Sequence, residues 1–139
     1  MGGVLAYATP TWGGQLGAGL QRDAPLGARP GGKRLGWSAD LALRWPLAGV
    51  ALAELGGTLQ SWQDQQLYAP GLIDLAREQR TLITRATLVW PVSGRGEWVL
   101  EARHVRNNEN IDLFAYDALS LRLGYQWRFG QRANQRGGL

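Results

Sequence analysis

The segment SLRLGYQWRF, Ser120 to Phe129, alternates strictly between apolar and polar residues. In an extended chain, the apolar residues of this segment would lie on one side, together with Leu119 just before it: Leu119, Leu121, Leu123, Tyr125, Trp127 and Phe129. The opposite side would carry Ser120, Arg122, Gly124, Gln126 and Arg128. Successive side chains of a β-strand point to opposite faces, so the segment predicts an amphipathic strand with aromatic residues gathered at its end.

The same period of two recurs in much of the chain, at 14–22, 34–47, 50–62, 81–91 and 97–104, and residues 4–12 predict a further strand whose register the pattern does not fix. These segments predict an all-β fold, an antiparallel meander of about seven amphipathic strands. A strand of roughly ten residues is long enough to cross a membrane when it is tilted.

The connections between these segments alternate in length. Short turns follow Trp45 and Trp90 and surround Trp12, whereas the connections at 23–33, 63–79 and 107–117 are long and polar. Residues 72–79 could form one or two helical turns within the second long connection. Short turns on one side and long loops on the other are typical of an outer-membrane β-barrel, with the short turns in the periplasm.

Composition limits the other possibilities. The chain has 139 residues, no cysteine and a formal charge of +4. It has no run of eighteen apolar residues that would form a transmembrane helix. Its arginines are spread along the chain rather than clustered, so we expect no nucleic-acid partner. The segment MGGVLAYATP lacks the basic and apolar regions of a signal peptide, so we expect a fragment or a misassigned start.

Aromatic and charged residues are placed as a lipid-facing surface would require. The apolar face carries charge only at strand ends, at Arg22 and Arg106. Trp37 and Trp62 lie toward the long loops and would form one aromatic belt, while a second would follow the short turns: Trp12, Trp45, Trp90, Trp98, Trp127 and Phe129. A soluble, lipocalin-like barrel that binds a ligand inside is the alternative, but its core would draw tryptophan toward the middle of the strands.

Strand direction predicts that the barrel is larger than this chain. If the seventh strand ends in the periplasm, the first must begin outside, whereas single-chain bacterial barrels have an even number of strands and begin in the periplasm. We therefore expect residues 1–129 to be the C-terminal part of a transmembrane outer-membrane β-barrel. Residues 130–139 would form a disordered polar tail.

The polar face would line the lumen with Arg44, Arg85, Glu101, Arg103, Arg122 and Arg128. One interpretation is a slightly cationic channel that favours anionic or polar cargo. The favoured one is pairing of arginine with glutamate across strands, with Glu101 and Arg103 within reach of Arg122 and Arg128.

No motif predicts a catalytic, cofactor or metal site. His104 is the single histidine, and a hydrolase would need a nucleophile within hydrogen-bond distance of it. Ser120 has the opposite parity on the adjacent strand, so the two side chains would point to opposite faces. We expect a non-enzymatic protein without cofactors, with His104 near the outer interface.

The segment Val105–Phe129 resembles the end of the surface lipoprotein assembly modifier (Slam-like) family. Five residues match the family's loop pattern, with Glu109 where serine is usual and Phe114 where tyrosine is usual; the matches are Arg106, Asn110, Ile111, Tyr116 and Asp117. Members of this family have periplasmic tetratricopeptide repeats followed by an outer-membrane barrel. The loop itself could be a binding surface or could fold back on itself through turn bonds.

The resemblance implies a Gram-negative outer-membrane translocator or assembly factor that aids export or surface display of a lipoprotein cargo. Its partners would be membrane lipid and the barrel-assembly machinery, which reads a last strand ending in an aromatic residue such as Phe129. A passive porin and a polysaccharide-export barrel are the alternatives. Tetratricopeptide repeats upstream would favour an exporter, whereas a directly attached signal peptide would favour a porin.

Overall fold

The computed structural model describes residues 1–9, 11–47, 50–93 and 96–127. Its seven strands are β1 (Gly2–Ala8), β2 (Gly13–Asp23), β3 (Arg34–Leu47), β4 (Ala51–Ala69), β5 (Ile73–Ser93), β6 (Gly96–Glu109) and β7 (Tyr116–Trp127). A single 3-10 turn, Asp112–Phe114, lies between β6 and β7. In the described part of the chain, no helix has the length and apolar character needed to cross a membrane.

The strands form one sheet in the order β1-β2-β3-β4-β5-β6-β7, and each is antiparallel to the next. This arrangement confirms the predicted all-β antiparallel meander of about seven strands. The sheet is open, because the described β1 and β7 each pair on one side only. Both strands run toward the end of the sheet that holds the short turns.

The hairpin of β4 and β5 is much longer than the sequence pattern predicted. The two strands contain 19 and 21 residues, and their pairing continues from Gln63–Glu78 to Ala69–Ile73 through two register shifts. A helical segment at 72–79 is therefore wrong, because Leu72 lies in the turn and residues 73–79 belong to β5. A helix of one or two turns has few hydrogen bonds to offset its nucleation cost, whereas pairing with β4 satisfies this backbone directly.

A tight turn closes this hairpin. Gly71 has a φ of 82°, which favours glycine, and its amide donates to the Asp74 carboxylate at 2.7 Å. The Leu72 amide donates to the Ala69 carbonyl at 2.9 Å. These bonds let the chain reverse within a few residues.

The register divides the sheet into two faces. The face here called the apolar face carries, among others, Leu5, Leu16, Leu41, Leu55, Leu88, Leu100 and Leu121. The other, here called the polar face, carries Gln15, Arg44, Glu54, Arg85, Glu101, Arg103 and Arg122. No second layer covers either face within the described ranges, and the buried apolar residues are few: Ala53, Val105 and Ile111.

Candidate functional site

The apolar face has a broad band without charge. On β3 this band runs from Leu35 to Trp45. The ten steps from Leu35 to Trp45, at about 3.3 Å each, give roughly 33 Å. At a typical barrel tilt of about 40° this corresponds to roughly 25 Å along the membrane normal, the height of the apolar band of outer-membrane barrels. The face is solvent-exposed in the isolated sheet, with Leu119 at 69% and Leu121 at 72%.

Among the described residues, the charged side chains of the apolar face lie only at its long-loop end, where the register places Arg22, Glu78, Arg80, Arg106 and Asp117. Arg22 and Arg106 were predicted from the sequence. The other three were not, because the predicted fifth and seventh strands began too late. A polar margin thus follows one edge of the apolar band.

An aromatic belt follows the opposite edge, beside the short turns. Trp98 and Tyr125 meet edge to face with ring centroids 5.0 Å apart, and Tyr125 lies 6.1 Å from Trp127. At the other end of the sheet, Tyr7 contacts Trp12 at 5.3 Å. The structure places the predicted residues Trp12, Trp45, Trp90, Trp98 and Trp127 at this edge. The predicted member Phe129 lies outside the described residues.

The prediction of a second belt near the long loops is wrong for Trp62. The register pairs Trp62 with Gly36, which places its ring on the polar face, whereas Trp37 lies on the apolar face. The reason is parity, because Trp62 is an even number of residues from Glu54 and Thr58 in an unbroken strand.

Charges on the polar face pair partly across strands. The Nε atom of Arg44 lies 3.4 Å from the Glu54 carboxylate. The Nε atom of Arg85 lies 3.8 Å from the Glu101 carboxylate. Glu101 thus contacts Arg85 on β5, although Arg122 on β7 is directly opposite it in the register. Arg103 lies opposite Arg85 and Ser120, and the predicted Arg128 lies outside the described residues.

The connection between β6 and β7 folds back onto the long β4–β5 hairpin. Asn110 bridges it to β5, because its side chain donates to the Ala76 carbonyl and accepts from the Glu78 amide, each at 2.8 Å. Ile111 is buried, and the Phe114 ring meets Tyr68 edge to face at 5.2 Å. These contacts attach the loop to β4 and β5.

A buried ion pair holds the base of this loop. The Arg77 guanidinium donates to both oxygens of Glu109 at 2.5 and 2.6 Å, and the Glu109 side chain is fully buried. The Asn107 amide group donates to the same carboxylate at 2.7 Å and to the Phe114 carbonyl at 2.8 Å. Arg77 also stacks over the Phe114 ring at 4.6 Å. Arg77 and Asn107 could not be identified from the sequence, because no local pattern links residues so far apart in the chain.

The remaining residues of the loop motif are placed differently. The Asp117 carboxylate accepts a hydrogen bond from His104 Nε2 at 2.8 Å on the apolar face. The Nε atom of Arg106 donates to the Asn108 side chain at 3.4 Å, and Tyr116 is exposed. The structure therefore brings Asn110, Ile111 and Phe114 into one cluster and leaves Arg106, Tyr116 and Asp117 outside it.

The connection between β2 and β3 is also held against β4. Gln65 and Gln66 donate backbone bonds to Lys33 and Gly31 at 2.9 and 3.2 Å. Arg34 donates to the almost fully buried carboxylate of Asp64 at 2.7 Å. Two of the long connections are thus built into the sheet at its long-loop end.

His104 and Ser120 lie on opposite faces of adjacent strands. His104 is opposite Leu119 on the apolar face, while the Ser120 hydroxyl donates to the Arg103 carbonyl at 3.3 Å. The described ranges contain no group of three or more histidine, aspartate or glutamate side chains that could hold a metal ion.

Comparisons with known proteins found no matching family model, no matching curated protein and no matching solved structure. The resemblance of Val105–Phe129 to the Slam-like family therefore stays a prediction.

Proposed function

We propose that this chain is part of an outer-membrane β-barrel of a Gram-negative bacterium, with its apolar face against lipid and its polar face toward the lumen. The observation that carries the proposal is the charge-free apolar band, continuous across the strands and bordered by aromatic residues at the short-turn edge. Lipid favours both features, because charge is costly in hydrocarbon and aromatic rings prefer the interface.

The direction of the edge strands supports a larger barrel. Because β1 and β7 run the same way, they cannot pair with each other in an antiparallel barrel. An odd number of further strands would be needed between them. The chain would then be a C-terminal section whose last strand is read by the barrel-assembly machinery.

Within this class, we propose a translocator or assembly factor that aids export or surface display of a lipoprotein, without covalent chemistry. Its support is the resemblance of the last hairpin to the Slam-like family. The motif positions Asn110, Ile111 and Phe114 lie in one loop cluster that shapes the long-loop end of the sheet. A passive porin or polysaccharide-export barrel is the alternative, and it would use the same lipid-facing surface.

The first experiment uses protein refolded in buffer, in detergent and in lipid vesicles. Gel electrophoresis of unboiled and boiled samples tests for a closed barrel, and fluorescence in vesicles with lipids brominated at different depths locates the tryptophans. We expect β-structure that depends on detergent or lipid, and tryptophan fluorescence quenched most strongly by bromine near the interface. A cooperatively folded species in plain buffer would contradict membrane insertion and favour the soluble ligand-binding barrel. A heat-modifiable band from this chain alone would show that it closes by itself, against the larger-barrel proposal.

The cargo role needs a separate test. In Gram-negative cells producing the whole barrel that contains this chain, we expect more surface lipoprotein to become accessible to external protease than in cells lacking it. Unchanged accessibility, together with steady ion conductance in planar bilayers, would favour a passive pore instead. Either result leaves the lipid-facing surface to be judged by the vesicle experiment.

A further inference from the structure

Three arginines gather on the polar face where β5, β6 and β7 are adjacent. Arg85 lies directly opposite Arg103, and Arg122 lies directly opposite Glu101. Glu101 is the carboxylate of this group, 3.8 Å from Arg85, so the four side chains have a formal charge of +2. Like charges directly opposite each other destabilise a sheet, so the Arg85–Arg103 pair has an unfavourable interaction that a bound anion would relieve.

Open space adjoins these two arginines. Arg85 and Arg103 line a hollow of about 320 Å³ on the polar face. The neighbouring positions in their register row are Gly56 and Ala42, whose small side chains leave the space above the sheet free. The Arg85 side chain is 56% exposed, so its guanidinium is accessible from this hollow.

The far side of the hollow, on β3, carries an acidic side chain. Asp40 lines it and accepts a hydrogen bond from the Thr58 hydroxyl at 2.8 Å. The positive charge is therefore confined to the β5–β6 side, and an anion would be drawn to that side alone. Glu54 next to this region is already within 3.4 Å of Arg44.

We propose that Arg85 and Arg103 form an oxyanion-binding site on the polar face, which takes a sulfate, phosphate or carboxylate group of a solute or cargo. Guanidinium groups present planar pairs of N–H donors that match such oxygens, and charge-assisted bonds of this kind are strong. The site goes beyond the proposed function, because it requires the folded sheet but not a particular cargo.

The test is isothermal titration of inorganic sulfate and pyrophosphate into the full chain, refolded in a zwitterionic detergent. Chloride keeps the ionic strength constant. We expect saturable binding that weakens about tenfold in Arg85→Gln or Arg103→Gln, since each variant loses charged hydrogen bonds. Arg80→Gln is the matched control, because it removes one positive charge from the apolar face of the same strand, and it should bind like the unchanged protein.

Two results would overturn the site. One is the absence of saturable heat beyond that of chloride in the folded protein. The other is equal weakening in Arg80→Gln, which would mean that overall charge attracts the anions. If neither arginine variant folds, Glu101→Gln tests the site instead. Removal of the nearby carboxylate should tighten anion binding, and unchanged affinity would contradict the proposal. A chain that enters vesicles but binds no oxyanion would refute this site and leave the proposed function standing.

Discussion

At the scale of single residues, the contact between Arg77 and Glu109 holds a fully buried carboxylate. Burial of a carboxylate is costly unless it is paired and its oxygens are hydrogen-bonded. Here two guanidinium bonds and one from Asn107 meet that need. The hydrogen bond with Glu109 raises the pKa of Arg77 above its ordinary value. The stabilisation that comes from the charge on Arg77 is therefore present below the ordinary arginine pKa and is lost only as pH rises through the raised one.

Removal of this guanidinium should be costly. We expect Arg77→Met to lower the free energy of unfolding by about 3–5 kcal/mol, because Glu109 would remain buried without its partner. Denaturant unfolding of the refolded protein measures the change. Arg80→Met is the matched control, an exposed arginine on the same strand, and should change stability little. Equal losses in the two variants would contradict a special role for the buried pair.

At the scale of elements, β3 and β4 approach each other closely where Gly36 faces Trp62. The Trp62 ring lies over Gly36, and a Cβ placed there would meet the ring and the Ser61 carbonyl at 2.6 Å. Glycine is thus required by contact rather than by its φ angle. The aromatic ring covers backbone that glycine leaves bare, a recognised way of stabilising glycine in sheets.

Gly36→Ala should therefore strain the β3–β4 pairing. We expect a loss of about 1–3 kcal/mol in unfolding free energy, as for other overpacked sites. Gly57→Ala is the matched control within β4, since a Cβ there meets nothing within 4 Å. It should be neutral, or stabilising by about 0.4–1 kcal/mol through the unfolded chain. Tolerance of alanine at position 36 in denaturant unfolding would show that the close approach is not needed.

At the scale of the whole molecule, the sheet has two exposed faces and almost no core of its own. Few apolar residues are buried, whereas many large ones are exposed on a single face. A layer of this kind needs an environment that covers that face, because apolar burial is the main favourable term in folding. Lipid supplies such cover in the proposed barrel.

An arginine introduced on the apolar face should show whether lipid covers that face. Ala86 lies in the middle of the band between Leu55 and Ala102, and we expect Ala86→Arg to cost about 2–4 kcal/mol in vesicles. Thr87→Arg is the control, since Thr87 faces Glu54 and Glu101 on the polar side. Equilibrium folding into vesicles measures both variants. A larger loss for Thr87→Arg would reverse the proposed assignment of the faces.

The strands, their two faces and the aromatic edge could be predicted from the sequence, because a period of two is a local property of an extended chain. Leu121 and Arg122 must point to opposite faces wherever the strand lies. Short turns fix which strand ends lie together, so Trp90 and Trp98 could be placed at one edge. Loop motif residues such as Asn110 could be singled out by resemblance, but their contacts could not.

Only the tertiary structure decided which strands and contacts form beyond the charge-free band, at the long-loop end of the sheet. Residues 63–79 lack clear alternation, so their strand character arises from pairing with each other and not from local pattern. Arg77 and Glu109 are 32 residues apart, and their contact exists because β5 and β6 are adjacent in one register. The same register brings Arg85 opposite Arg103. Alternation assigns a residue to a face, but its neighbour across the sheet is set by the register, which depends on the pairing of whole strands.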